Sequence, residues 1–353
     1  MEKTAEKQRV EAVDIAKGIG ILAVVLSHIL LPEHALKSYL FYFEVPLFFF
    51  LSALFIRKQS EKKDYLILQV KKLYLLYLGV LVLDLVLVLA LYMEYPEGQA
   101  ASLIASLFRY YGKCTVGLKI TFVDLPVWFL FSLFLVKILF YPIAKIQNGS
   151  LQKILVASTG LVGLCFLLLR NSLDLPSENL YLTTLGCILY FALGFYAKDA
   201  LLKLDEKLKG FTGKWLCLCG SLLLFALLAI ITKVNTYVEV LIYEYGNPLF
   251  FLLGSLLGIV AVILLSFFIS HEKNSLLDPV KKGLLFCGRK SLPIMVIHYY
   301  FIRVIFPMVL KKITGQEQVS GIPAFVLLYI LTVALTIGLI LAYDKLSKRG
   351  KTA

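Results

Sequence analysis

The chain has 353 residues, of which 59% are hydrophobic and 17% are charged, and its mean hydropathy is +0.84. A soluble protein cannot bury that much apolar surface, so the composition excludes a soluble fold and predicts a polytopic membrane protein. The net charge of +13 does not indicate a nucleic-acid partner, because the Lys and Arg residues stand in short clusters between apolar runs.

The first apolar run, residues 14–28, carries Asp14 and Lys17 at its start and His28 near its end. Eleven residues separate Lys17 from His28, so in an α-helix they lie within roughly 20° of each other and about 16 Å apart along the axis. Asp14, three residues before Lys17, falls on nearly the same side. Polar groups inside a membrane are costly and usually functional. These three residues predict a polar track on one face of the first helix.

Ten apolar runs are long enough, or nearly so, to cross a hydrocarbon core about 30 Å thick. They cover residues 14–31, 38–56, 74–93, 126–144, 152–169, 181–197, 215–232, 248–270, 289–310 and 322–343. Of the 36 Lys and Arg residues, 25 fall in segments on the side of the N-terminus and 8 fall on the opposite side. This bias predicts an all-α bundle of ten transmembrane helices with both termini in the cytoplasm.

The same pattern predicts a single domain over residues 1–353. A cytoplasmic segment, 1–13, precedes a transmembrane bundle, 14–343, and a basic cytoplasmic tail, 344–353, follows it. The longest outer connection, 94–125, has apolar residues at helical spacing, which predicts a helix lying in the outer interface.

Four stretches occur in an order that is typical of one family. Residues 14–28 contain a cation, ten intervening residues and a histidine; residues 44–55 read EVPLFFFLSALF; residues 127–134 read VWFLFSLF; residues 287–298 read CGRKSLPIMVIH. Their characteristic residues are Lys17, His28, Pro46, Ser52, Trp128, Gly288, Ser291 and His298. Together they resemble the integral membrane acyltransferase family (acyltransferase 3), in its sugar O-acetyltransferase branch.

Three positions depart from the family pattern. Ala53 stands where the family usually has Gly. Lys17 stands where the family usually has Arg, which keeps the charge but loses the planar fork that binds phosphate or carboxylate through two hydrogen bonds. Glu44 stands where related sequences often have His, which leaves the role of the second helix open.

The resemblance implies a multi-pass O-acyltransferase of the bacterial inner membrane. Such an enzyme would move an acetyl group from acetyl-CoA to a hydroxyl of a cell-surface glycan or a lipid-linked sugar, with the lipid bilayer as its surroundings. No metal is expected, since the six cysteines have no metal-type spacing. Nucleic acid is not an expected partner.

Within this hypothesis His28 and Glu44 are the candidate catalytic residues. His28 would act as the general base that takes the proton of the acceptor hydroxyl. Glu44, at a similar depth in the second run, would orient and charge-stabilise the imidazole. The alternatives are an interfacial histidine bonded to a neighbouring helix and a carboxylate exposed at the headgroup level.

The donor is expected to bind near the cytoplasmic end of the polar track. Lys17 would contact a phosphate of coenzyme A, with Asp14 beside it, and Lys72 would contribute from the basic inner segment 57–72. For the lysines of that segment the competing interpretation is a topology signal that contacts anionic lipid.

Five further residues are candidates for the substrate cavity: Ser52, Trp128, Ser291, His298 and Arg303. Ser291 and His298 are two helical turns apart and share a face, whereas Arg303 lies roughly 140° round from His298. Structural roles are the alternatives for Ser52 and His298, namely a hydrogen bond within the helix and a satisfied core histidine.

Asp84 and Lys137, near the middle of two neighbouring runs, are predicted to form a buried ion pair.

Two other functions compete with the acyltransferase. A transporter or flippase for a lipid-linked glycan would use such charges as a path, although no inverted repeat is evident. A structural partner of a polysaccharide synthase would tolerate substitution of Lys17 and His28.

Overall fold

In the computed structural model, which describes residues 2–31, 34–56, 64–92, 100–176, 178–235, 237–272, 275–315 and 321–349, the chain is helical nearly throughout. Ten helical segments are long and apolar enough to cross a membrane: Glu11–Ile29, Ala35–Ala53, Tyr65–Ala90, Leu125–Ala144, Gly149–Ser172, Leu180–Lys207, Phe211–Val234, Pro248–His271, Ser291–Ile313 and Ile322–Ser347. Each overlaps one predicted run, so the polytopic all-α prediction is confirmed.

The α-helices, in chain order, are α1 Glu2–Ile29, α2 Ala35–Phe41, α3 Glu44–Ala53, α4 Tyr65–Gln69, α5 Leu75–Leu87, α6 Ala100–Thr115, α7 Trp128–Ala144, α8 Gly149–Leu169, α9 Leu180–Lys207, α10 Phe211–Val234, α11 Pro248–His271, α12 Asp278–Arg289, α13 Ser291–Tyr300, α14 Phe306–Thr314 and α15 Ile322–Arg349. Short 3₁₀ turns lie at Leu125–Val127, Arg170–Ser172, Val240–Ile242 and Ser275–Leu277. Helix α6 confirms a helix within residues 94–125, and its location in the outer interface stays a prediction.

Three π-helical turns interrupt the transmembrane segments, at Val70–Tyr74, Val88–Tyr92 and Phe301–Ile305. A π-turn closes its hydrogen bonds over five residues instead of four and often occurs at functional sites. It also changes the angle between residues on its two sides. Face assignments that assume 3.6 residues per turn therefore fail across Phe301–Ile305.

The second transmembrane segment is two helices and not one, because α2 ends at Phe41 and α3 begins at Glu44. At the break, Phe43 packs against Gly258 of α11, where an added Cβ would overlap the Phe43 side chain. The break places Glu44 in the first turn of a helix, a position that favours a carboxylate.

The chain divides into two compact units. Unit one comprises Met1–Glu44, Leu204–Val234 and Gly254–Ala353. In it α1 packs along α12 and also contacts α2, α13 and α15. The approach of α1 and α12 is close, since a Cβ on Gly288 would overlap the carbonyl oxygen of Asp14 and one on Gly18 would overlap that of Leu284.

Unit two comprises Val45–Lys203 and Asn235–Leu253. Helix α7 lies at its centre, and the side chains of Leu130, Val136 and Phe140 are fully buried. Next to it, the buried carboxylate of Asp84 accepts a hydrogen bond from the Thr121 hydroxyl at 2.5 Å and one from the Asp124 backbone N–H at 3.1 Å. The ion pair of Asp84 with Lys137 stays a prediction.

Candidate active site

The polar track lies on α1, which is a continuous helix from Glu2 to Ile29. The carboxylate of Asp14 forms an ion pair with α12, where the Nε–H of Arg289 donates to it at 3.1 Å. Lys17 is half-buried, and among the described residues its ammonium has no hydrogen bond or ion pair. A partly buried cation with no anionic partner is suited to an anionic ligand.

The far end of the track holds two imidazoles in direct contact. Nδ1 of His28 lies 3.1 Å from Nε2 of His298, and the ring centroids are 5.2 Å apart. Nδ1 of His298 lies 3.0 Å from the carbonyl oxygen of Ile294, one turn earlier in α13. The ring of Tyr299 packs edge-to-face against the His28 ring, with the two ring centroids 5.1 Å apart.

His28 is only partly buried, whereas His298 is 0% exposed. Because Nδ1 of His28 faces His298, the nitrogen that remains for a substrate is Nε2. The structure therefore brings two predicted site residues together, and it gives His298 a hydrogen-bonded partner on another helix.

Glu44 lies close to this pair in the same unit and is 3% exposed. Its Oε1 accepts a hydrogen bond from the Ser27 hydroxyl at 3.2 Å, and that hydroxyl also lies 2.9 Å from the carbonyl oxygen of Val24. Ser27 is the neighbour of His28 in α1. Direct support of His28 by Glu44 stays a prediction, as the described bond is to Ser27.

The remaining candidates of unit one lie on α13 and the turn that follows it. Ser291 is the first residue of α13 and is half-buried. Arg303 lies within the π-turn Phe301–Ile305 and is exposed. A role for either residue in binding the substrate stays a prediction.

Three candidates belong to unit two. Ser52 is half-buried in α3, Trp128 is 6% exposed at the start of α7, and Lys72 is exposed in the π-turn Val70–Tyr74. Their proposed contacts with donor or substrate are untested predictions. Of the basic inner segment, Arg57, Lys58, Lys62 and Lys63 lie outside the described residues.

Three neighbours of the site, Arg289, Ser27 and Tyr299, were not predicted from the sequence. Arg289 follows Gly288 in the CGRKSL stretch, and an arginine beside a glycine that permits close helix packing is a signal that could have paired it with Asp14. Ser27 and Tyr299 each adjoin a predicted histidine but carry no pattern of their own.

In the part of the chain that the structure describes, no three His, Cys, Asp or Glu residues are placed as metal ligands. All six cysteines are free thiols.

Comparison with known protein families identifies an acyltransferase. The profile of a family described as an acyltransferase domain matches residues 10–341. No curated protein and no solved structure matches the chain.

Proposed function

The chain belongs to the acyltransferase 3 family, whose profile spans residues 10–341, and from this premise we propose that it transfers an acetyl group from acetyl-CoA to a sugar hydroxyl. Its class is that of a multi-pass membrane acyltransferase. The proposed acceptor is a cell-surface glycan or its lipid-linked precursor, and the proposed location is the bacterial inner membrane.

The observation that carries the proposal is the arrangement of α1. A half-buried lysine without an ion pair among the described residues lies eleven residues before a histidine whose Nδ1 is held by a second histidine. The lysine suits a phosphate of the donor, and the histidine suits a general base. A donor with a long flexible arm fits the separation of about 16 Å along the helix axis.

The proposed reaction balances without any further reagent. The acceptor oxygen attacks the thioester carbon as Nε2 of His28 takes the hydroxyl proton, so the O–H bond breaks and a C–O bond forms. Collapse of the tetrahedral intermediate breaks the C–S bond. His28 then returns the proton to the departing thiolate, which leaves as the free thiol of coenzyme A.

The donor end would work by charge and position. Lys17 would hold a phosphate by a charge-assisted hydrogen bond, and the nearby Asp14 carboxylate forms its ion pair with Arg289 and not with Lys17. A carboxylate bonded directly to Lys17 would compete with an anionic donor for the same ammonium group.

The test uses purified protein in lipid nanodiscs with acetyl-CoA and sugar acceptors, and it measures release of free thiol together with acetylated sugar. We expect the wild type to release thiol and His28→Ala to lose transfer by about 10²-fold or more while remaining folded. The matched control is His34→Ala, since His34 is an exposed histidine that only caps α2.

Two results would contradict the proposal. A wild-type protein that consumes no acetyl-CoA with any sugar or lipid-linked sugar would favour a transporter. Full transfer by His28→Ala would remove His28 from the mechanism.

A further inference from the structure

The hydrogen bonds of the two histidines determine where their protons lie. A carbonyl oxygen can only accept, so Nδ1 of His298, 3.0 Å from the oxygen of Ile294, must carry a hydrogen. In a neutral ring the other nitrogen, Nε2, is then an acceptor. Nδ1 of His28, 3.1 Å from it, must therefore be the donor. The same rule leaves the lone pair of His28 on Nε2.

We propose that His298 is a positioning residue that holds His28 in the tautomer with an unprotonated Nε2 and, by accepting from Nδ1–H, stabilises the imidazolium formed when Nε2 takes up the proton. The inference rests on the proposed function, because it assigns a role within that reaction. It assigns to a second histidine the task that a carboxylate performs in the Ser-His-Asp arrangement, which is to fix the tautomer and orientation of the base.

Burial of His298 makes the arrangement effective. Its side chain is 0% exposed, so water does not compete for its Nε2. When Nε2 of His28 gains the hydroxyl proton, the bond from Nδ1 of His28 to Nε2 of His298 becomes charge-assisted and stronger. The positive charge is thereby stabilised at the moment it forms, and the Nδ1–H of His298 continues to donate to the Ile294 carbonyl.

The backbone anchor explains why a histidine suits this position. The bond to Ile294 fixes the ring of His298 within α13, and the ring then presents Nε2 to a different helix, α1. A side chain that only filled the space would need neither bond. The two bonds can be removed separately, which gives a test that distinguishes positioning from packing.

The experiment compares His298→Gln with His298→Asn in the full chain in nanodiscs. The amide of Gln reaches the place of Nε2, so it can still accept from Nδ1 of His28. The amide of Asn reaches the place of Nδ1, so it can still bond Ile294 but not His28. Both substitutions introduce the same polar group, a carboxamide, and neither side chain is larger in volume than that of His298.

Kinetics provides the first measurement. We expect His298→Gln to retain most of kcat and His298→Asn to lose about 10²-fold in kcat with KM for acetyl-CoA unchanged. Equal kcat values for both variants, or a greater loss in Gln than in Asn, would overturn the inference. If the wild type itself does not transfer acetyl groups, the proposed function fails by that result alone.

The second measurement does not need activity. The chain has four histidines, so ¹⁵N-labelled histidine rings can be assigned by substitution. We expect the hydrogen of His28 on Nδ1 in the wild type and in His298→Gln, and a mixture of tautomers in His298→Asn. A His28 ring that carries its hydrogen on Nε2 in the wild type, or that is unchanged in His298→Asn, overturns the inference whatever the activity.

Discussion

At the scale of single residues, Lys17 is the cation whose surroundings favour a bound anion. Its ammonium has no ion pair among the described residues, and Asp14, one turn before it, is bonded to Arg289. A charge-assisted hydrogen bond to a phosphate contributes about 1.5–3 kcal/mol. Lys17→Gln should therefore raise KM for acetyl-CoA by about tenfold or more and change kcat little.

Two comparisons make this prediction specific to the phosphates of the donor. With acetyl-pantetheine, which lacks the nucleotide phosphates, Lys17→Gln and the wild type should have the same KM. Lys153→Gln, at an exposed lysine of α8 outside the proposed donor site, serves as the matched control. An equal increase in KM for both donors would assign Lys17 a structural role.

Asp124 gives a prediction about stability and pH. The side chain is 0% exposed, and neither of its carboxylate oxygens has a hydrogen-bond partner among the described residues. Burial, with the Asp84 carboxylate as the second cause, raises the pKa of Asp124 well above its ordinary value near 3.8. Asp124 is therefore protonated in the folded protein over a pH range in which the unfolded chain has lost that proton.

The sign of the effect follows from which state binds more protons. Between the ordinary and the raised pKa the folded state holds the extra proton, so the free energy of unfolding falls as pH rises. Asp124→Asn cannot ionise, and its melting temperature should exceed that of the wild type by more at about pH 8 than at about pH 5. Asp174→Asn, at an exposed aspartate, should show no such pH-dependent difference in melting temperature from the wild type.

The pairing of His28 with His298 shows what a sequence can predict at this scale. The spacing of Lys17 and His28 placed both on one face because a single helix has a known period. No period relates α1 to α13, so the bond between the two histidines could not be predicted. The same limit applies to Asp14 and Arg289, which lie 275 residues apart.

At the scale of helices, the packing of α1 against α12 depends on two glycines. A Cβ at Gly288 would overlap the backbone oxygen of Asp14, and backbone cannot move aside as a flexible side chain can. Gly288→Ala should therefore lower the free energy of unfolding by about 1–3 kcal/mol or more, as overpacking does. It should also lower activity, since it displaces the segment of α1 that carries Lys17.

Gly283 supplies the matched control on the same helix. It lies in α12 with no atom within 4 Å of an added Cβ. Gly283→Ala should stabilise the helix by about 0.5–1 kcal/mol, because alanine loses less conformational freedom on folding. Thermal melting in detergent of both variants measures the difference, and similar melting temperatures would contradict the close approach of α1 and α12.

The helices themselves were largely predictable, and their interruptions were not. All ten apolar runs correspond to helical segments long and apolar enough to cross a membrane, and hydrophobic length is the strongest requirement that a bilayer imposes. The break before Glu44 and the π-turn at Phe301–Ile305 are followed by Pro46 and Pro307, each of which removes a backbone N–H that would bond the carbonyl four residues earlier. The prolines mark these places in the sequence, but whether a break or a π-turn forms there depends on tertiary packing, such as that of Phe43 on Gly258.

At the scale of the whole molecule, unit one is assembled from three separate stretches of chain and unit two from two. The candidate residues divide accordingly. Lys17, His28 and His298 lie in unit one, and Ser52, Trp128 and Lys72 lie in unit two. The order of motifs along the sequence could not predict this division, because neighbours in sequence such as Glu44 and Val45 fall in different units.

The orientation of the chain decides whether the proposed donor can reach Lys17. The bias of 25 inner against 8 outer Lys and Arg residues predicts a cytoplasmic N-terminus, which places Lys17 on the side where acetyl-CoA is made. Single cysteines at two exposed positions, Asp174→Cys and Lys209→Cys, should label differently in a chain from which the six native cysteines are removed. An impermeant thiol reagent should modify position 174 in intact cells and position 209 only after permeabilisation. The opposite pattern would place Lys17 away from the cytoplasmic donor, and the acetyl-CoA proposal would then fail even if His28 were essential.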